Sequence, residues 1–356
     1  MKLAPHTTIG LGGPARHLWQ AASESEALAA VRRAKQLGLQ LYVLGGGSNL
    51  VVADRGVDGV VLRLTMDSIE VEEQGDRILC RVGAGRTWDD WVAHAVSRGW
   101  AGVECLSGIP GQVGATPIQN VGAYGQEVAQ TITRLRVLDR SSETLGWMSA
   151  SECEFGYRSS RFKQQEQDRF LVLAVEFSLA KGDRTPTTYP ELERALSALG
   201  PAAPSLASVR DTVLGLRKAK SMLLDPTDEN GRSCGSFFTN PIVSPIDVER
   251  VTARAGAAPP GFPQADGSVK LAAAWLIERA GLARGTRSGQ VGLSSKHTLA
   301  LVAHDDASAS ELVAFAWQVR RRVEETFGVR LIPEPVFWGF ERLEDGLPIA
   351  ASRSTG

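Results

Sequence analysis

Leu39-Gln40-Leu41-Tyr42-Val43-Leu44-Gly45-Gly46-Gly47-Ser48-Asn49 decides how the first part of this chain folds. Its first six residues read as a buried strand that empties directly into three glycines. Ahead of it, Ser23 and Glu26 have capping-box spacing, a helix runs to about Leu37, and Gly38 supplies the stop. Behind it, Val57 to Leu64 reads as a further strand. Consecutive glycines let backbone N–H groups converge on an anion without side-chain clashes, and Ser48 and Asn49 add side-chain donors. Taken alone, the motif is equally well read as a glycine turn between strands.

Outward from this segment, Arg77 to Val82 reads as a strand, and Thr87 with Asp90 caps a helix that Gly99 ends. Two strands, Ile132 to Leu138 and Arg169 to Leu179, frame Tyr157-Arg158. Gly182 to Ser208 is polar and proline-rich, a long loop broken by one short helix. A third region opens with a helix at Ser208–Lys220 and contains helices beginning at Ser244-Pro245 and spanning Lys270–Ala280. The last long helix, about Ser310 to Phe327, stripes Leu312, Phe315, Val319 and Val323 on one face and leads into a strand, Val329–Phe340. Few helices among many strands imply an α+β fold rather than a doubly wound sheet.

Composition removes several function classes. The chain has 356 residues and a formal net charge of −1, so bulk charge favours neither nucleic acid nor a membrane surface. No apolar run approaches the about 20 residues that span a bilayer, and the N-terminus lacks a signal-peptide core. Cys80, Cys105, Cys153 and Cys234 are scattered and read as reduced, buried thiols of a cytoplasmic protein. The five histidines have no ligand-pair spacing, so no protein-bound metal is expected. Trp88, Trp91, Trp275 and Trp317 read as packing residues.

Gly10-Leu11-Gly12-Gly13-Pro14-Ala15 matches a dinucleotide-binding pattern but reads as a decoy. No apolar strand precedes it, Pro14 interrupts the turn, and no acidic residue follows at the required distance. The stretch Ser107-Gly108-Ile109-Pro110-Gly111-Gln112-Val113-Gly114-Ala115, continuing through Pro117 to Gly125, mixes small and apolar residues with few charges. A solvated loop is normally more polar, so this one suits backbone packed against a flat, partly apolar ligand such as an isoalloxazine ring. A buried irregular linker is the alternative.

These two loops, with Gly156-Tyr157-Arg158, Gly235-Ser236-Phe237-Phe238-Thr239-Asn240-Pro241 and Ile332-Pro333-Glu334-Pro335, together resemble the UDP-N-acetylenolpyruvoylglucosamine reductase family. The likeness runs in order along nearly the whole chain. It is greatest to the form with an extra tyrosine loop, because Thr187-Thr188-Tyr189-Pro190 stands where that loop is expected. The resemblance implies three α+β domains: residues 1–66 and 67–207 hold FAD, the second with the tyrosine loop at about 182–207. Residues 208–328 bind substrate, and 329–356 form a C-terminal strand and polar tail. It assigns Gly45, Gly46, Gly47, Ser48, Asn49, Ser107, Ile109, Gly111, Gly114, Ala115, Ile118, Gln119, Asn120 and Gly122 to FAD.

The implied reaction takes hydride from NADPH through FAD to the methylene of an enolpyruvyl ether on a UDP-sugar. Negative charge then develops beside the carboxylate, and that carbon is basic enough for a hydroxyl to protonate it; Ser236 is the implied donor. Arg158 is the implied carboxylate ligand, since a guanidinium can hold two oxygens in parallel. Glu334, in an apolar surrounding that favours a protonated carboxyl, is the implied donor to the enolate. Read without the resemblance, Ser236 is a strand serine and Glu334 a strand-end salt-bridge partner. Tyr124, Tyr189, Arg217, Lys220 and Asn240 are the implied substrate contacts, with Lys220 on the diphosphate. Arg217 and Lys220 can equally be read as a solvated basic helix end worth about 0.3–1 kcal/mol, and Arg161 as a structural pair. The family often has arginine where Val336 stands and tyrosine where Phe262 stands, so contacts there are not carried over. A monomer acting on small molecules, with no nucleic-acid or membrane partner, completes the expectation. Two other readings stay open: a flavin oxidase of the same binding fold, and a non-catalytic nucleotide-sugar-binding protein.

Overall fold

A computed structural model describes residues 1–182, 189–200 and 203–349. The chain forms two compact units. The first comprises Met1, Ala15–Gly47 and Asp58–Leu224; the second comprises Lys2–Pro14, Ser48–Val57 and the chain from Asp225 onward.

In the first unit, Ser23 caps the helix Glu24–Gln36 by accepting from the Glu26 N–H, and Gly38 ends it with φ +64°. The strand Gln40–Leu44 pairs in parallel with Val57–Leu64. The helix seats Ala27, Val31 and Ala34 against Leu41, Val60 and Leu62. A larger antiparallel sheet has the order Thr144–Ser149, Ile132–Asp139, Phe170–Lys181, Arg77–Gly83, Ile69–Gln74. The helix Trp88–Ser97 buries Trp88 and Trp91 against it, with Trp91 stacked 5.6 Å from Phe177. Neither Thr87 nor Asp90 caps that helix through its side chain, contrary to expectation; Asp90 lies in its first turn, where a negative charge suits the dipole. The helices Pro190–Ser197 and Leu206–Ala219 bury Leu192, Leu196, Val209 and Val213 with Cys105 and Tyr124. The second of these starts two residues before the expected Ser208, because Ser205 is its cap, and it lies within the first unit.

The second unit is built around the helix Ala309–Phe327, whose capping box is Ser308 with Glu311. Leu312, Phe315, Val319 and Val323 are all buried, as the stripe predicts. Ser244 and Asp247 box the helix Pro245–Ala255 in the same way. The expected helix over Lys270–Ala280 is the shorter Ala273–Arg279, because Val269–Leu271 is a strand. The strand expected over Val329–Phe340 is confined to Val336–Trp338, paired in parallel with Leu50–Val52. Pro333 and Pro335 lack the N–H groups a ladder needs, which limits residues 329–335 to a single bridge, Phe238 with Pro333. In the decoy motif, a Cβ on Gly13 would lie 2.1 Å from the Asp54 carbonyl oxygen; this glycine serves close packing.

All four cysteines are buried and none is in a disulfide. Burial pushes the thiols of Cys80, Cys153 and Cys234 up to about 12. Among the described residues no helix is long and apolar enough to cross a membrane.

Candidate active site

The two glycine-bearing loops meet in the first unit. A Cβ on Gly46 would lie 2.7 Å from the Gly111 Cα, and one on Gly45 would lie 3.3 Å from the Ala115 Cβ. Only residues without side chains bring the two backbones this close. Among the described residues the N–H groups of Gly46 and Gly47 have no acceptor within the protein. Orphan donors at the end of a parallel strand are what an anionic diphosphate would satisfy. A Cβ on Gly114 would lie 2.5 Å from the Ala84 Cβ, so this loop is seated on the sheet. Gly111 has φ +129°, and Ile109, Ile118 and Gln119 are half-buried. FAD fits this donor set and this close backbone approach.

Several residues expected at the cofactor also have partners within the protein. Ser107 is fully buried and donates to the Glu104 carbonyl at 2.6 Å. Asn120 donates to Glu127 at 2.8 Å and to the Gly156 carbonyl at 3.0 Å, and accepts from the Ala129 N–H at 3.1 Å. Its role is to tie the loop to the Gly156-Tyr157-Arg158 turn. Ser48 and Asn49 fall in the second unit, where the Asn49 amide donates to the Glu334 carbonyl at 3.2 Å.

Arg158 sits in that turn with φ +51°, and its guanidinium donates to the Gly122 carbonyl at 2.8 Å. Asn120, Tyr124 and Arg158 are all non-glycine residues in the left-handed region, a costly arrangement that concentrates at working sites. Arg161 pairs with Glu166.

Four expected substrate contacts form one cluster. Tyr124 meets Tyr189 edge-on at 5.4 Å, and the Lys220 ammonium lies 5.8 Å from the Tyr124 ring. Burial pushes the Tyr124 hydroxyl up to about 12, while the Arg217 charge pulls it the other way. Burial also lowers the Arg217 guanidinium below its ordinary value; one nitrogen donates to the Met222 carbonyl at 2.8 Å, and among the described residues Nε is buried without a partner. Lys220 is paired with Glu191 at 2.6 Å. Thr187 and Thr188 of the tyrosine loop lie outside the described residues.

In the second unit the strand Ser233–Ser236 pairs with Ala300–Ala303 through a bulge, one extra residue on the serine strand. Gly235, at φ +69°, forms it. A Cβ there would meet nothing within 4 Å, so glycine is needed for the conformation and not for space. The bulge leaves Ser236 half-buried at the strand end, followed by the fully buried Phe237 and Phe238. Among the described residues the Ser236 hydroxyl has no hydrogen-bond partner. The Glu334 N–H donates to the Phe237 carbonyl at 2.8 Å, which brings residue 334 beside the serine strand. The Asn240 side chain accepts from the Ala273 N–H at 3.0 Å, at the first residue of the helix Ala273–Arg279.

The chain's similarity to known proteins agrees with this geometry. Residues 15–146 match the FAD binding domain family, and residues 225–338 match the C-terminal domain of UDP-N-acetylenolpyruvoylglucosamine reductase. The reductase of Thermobifida fusca is 48% identical over 345 residues, covering 95% of this chain and 96% of that protein. The chain belongs to the UDP-N-acetylenolpyruvoylglucosamine reductase family. The Streptomyces coelicolor member is 47% identical over 95% of this chain and 89% of its own length. The crystal structure of the Thermus caldophilus reductase superposes with a TM-score of 0.65 at 26% identity, covering 95% and 97% of the two chains. The protein is therefore an FAD-dependent oxidoreductase, a UDP-N-acetylmuramate dehydrogenase of peptidoglycan synthesis.

Sequence reading missed the residues that hold this reductase's site in place. Asp89 accepts from the Gly108 N–H at 2.6 Å and takes a two-pronged grip from Arg210 at 2.6 and 2.7 Å. Burial alone would raise the Asp89 carboxyl, but these donors bring it below its ordinary value. The pair locks the glycine loop to the helix that carries Arg217. No local pattern announces a contact between residues 121 positions apart.

Proposed function

We propose that this enzyme takes its hydride from NADPH and that Ser236 delivers the proton that completes reduction of the enolpyruvyl double bond. When bound, FAD would be held by the backbones of the Gly45–Gly47 and Gly111–Ala115 loops and would supply the redox chemistry between NADPH and the enolpyruvyl double bond. One hydride and one proton thus add across the carbon–carbon bond, and NADPH leaves as NADP+.

The observation that carries the reading is the Ser236 hydroxyl, held by the bulge and without a hydrogen-bond partner among the described residues, with residue 334 on the adjoining segment. The carbon beside the carboxylate becomes strongly basic as charge develops there, so the donor's position matters more than its acidity. Arg158 holds the substrate carboxylate through two parallel bonds, and fixed charge of this kind is usually the largest catalytic contribution. Glu334 donates to the developing enolate. Lys220 and Arg217 take the diphosphate, and Tyr189 and Tyr124 flank it.

A purified holoenzyme that is yellow, bleached by NADPH, and recoloured by enolpyruvyl-UDP-GlcNAc under anaerobic conditions establishes both half-reactions. Bleaching without recolouring would remove the assigned substrate. A monomer working in the cytoplasm belongs to the same proposal, and sedimentation of the holoenzyme tests the first half.

A further inference from the structure

Glu191 is the second residue of the helix Pro190–Ser197, immediately after Tyr189, and Lys220 caps the C-terminal end of Leu206–Ala219. The Glu191 carboxylate accepts from the Lys220 ammonium at 2.6 Å, and the two side chains are 31% and 32% exposed. Lys220 is also the ammonium lying over Tyr124, whose ring is met edge-on by Tyr189. A carboxylate presents two oxygens with the charge and spacing of one edge of a phosphate. On Lys220 it therefore takes the place that a phosphate of the nucleotide would take.

Two outcomes are open to an incoming diphosphate. If Glu191 stays, like charges face each other across a few ångströms in a half-buried setting; if it leaves, its ion pair is lost. Both weaken binding. We propose that Glu191 is an internal competitor for the diphosphate and thereby a determinant of affinity: only a ligand that outbids one carboxylate for Lys220 is held. The inference rests on the assignment of the diphosphate to Lys220. Glu191 needs no contact with the reacting atoms, and its effect is confined to substrate binding.

Calorimetric titration of the FAD-loaded enzyme with UDP, compared with Glu191→Gln and Lys220→Met, separates the possibilities. A partly exposed pair of this kind is worth a modest factor, so Glu191→Gln is expected to tighten UDP about two- to five-fold. KM for the enolpyruvyl nucleotide should fall by the same factor while flavin reduction by NADPH keeps its rate. Unchanged or weaker UDP binding by Glu191→Gln overturns the proposal, because Glu191 then merely props the lysine. Lys220→Met is expected to weaken UDP at least ten-fold. If it does while Glu191→Gln fails, only the competitor idea falls; if Lys220→Met leaves UDP binding intact, the diphosphate assignment falls with it.

Discussion

Replacing Gly46 by alanine places one methyl carbon 2.7 Å from the Gly111 Cα. Real Cβ contacts essentially never fall below 3.0 Å and rarely below 3.4 Å, so one loop must move by about 0.3–0.7 Å. The neighbour is backbone and cannot rotate away as a side chain would. Gly46 is not among the positive-φ glycines, so alanine brings no backbone strain of its own and the whole effect is spacing. Overpacking by one methyl group typically costs about 1–3 kcal/mol, which corresponds to about a 5- to 150-fold loss of FAD affinity if the displacement falls on the cofactor loops. Gly38→Ala is the control: φ is +64° with open space around it, so it should cost about 1 kcal/mol of stability and no FAD affinity. Fluorescence titration of apo-enzyme with FAD, alongside denaturant unfolding of the apo forms, distinguishes the two. Equal FAD affinity for Gly46→Ala and the parent would refute the idea that these loops together cradle the cofactor.

Further expectations concern neighbouring parts of the same unit. Asp89→Asn should lower the unfolding free energy by about 1–3 kcal/mol, since it breaks the grip of Arg210 on the Gly108 loop; a variant as stable as the parent in urea would contradict this. Tyr189→Phe should raise KM for the nucleotide substrate with kcat little changed, as expected where binding is uniform in ground and transition states; an unchanged KM would remove Tyr189 from the substrate contacts. Tyr124 carries a pH signature. Its folded-state pKa of about 12 exceeds the ordinary value of 10, so the stability it contributes is complete below about pH 10 and is lost as pH rises toward 12. Burial also raises Tyr189, so near-ultraviolet titration should show late ionisation whose latest component Tyr124→Phe removes; a latest component unchanged in that variant would contradict the assignment.

The parts legible in sequence were those in which local chemistry and tertiary role coincide. Ser308, Glu311 and the stripe from Leu312 to Val323 specify a capped helix with one buried face, and nothing in the surroundings competes with that. Gly45 to Gly47 follow the parallel strand Gln40–Leu44, which is an edge strand with only Leu41 and Leu44 buried rather than the fully buried one expected, and only backbone can approach the facing loop. Legibility failed where polarity misled. Ala15–Ala21 and Ile69–Gln74 lie at sheet edges, and their mixed or charged sequences lack the apolar run that marks a central strand. It also failed where a polar side chain has a structural partner far along the chain. Asn49 bonds the Glu334 carbonyl, Asn120 the Gly156 carbonyl and Asn240 the first N–H of a helix beginning 33 residues later, bonds that no local pattern foretells. Glu191 illustrates the converse: a helix-start glutamate is unremarkable until its lysine, 29 residues away, is seen beside it.

The role of the Ser236 hydroxyl at the bulge is tested most directly by stopped-flow anaerobic half-reactions of Ser236→Ala. Loss of a positioned general acid typically costs about 10²- to 10⁴-fold. Flavin reduction by NADPH should keep the parent rate, while reoxidation by enolpyruvyl-UDP-GlcNAc slows within that range. Reoxidation at the parent rate, or equal slowing of both half-reactions, would contradict the assignment of the proton to Ser236.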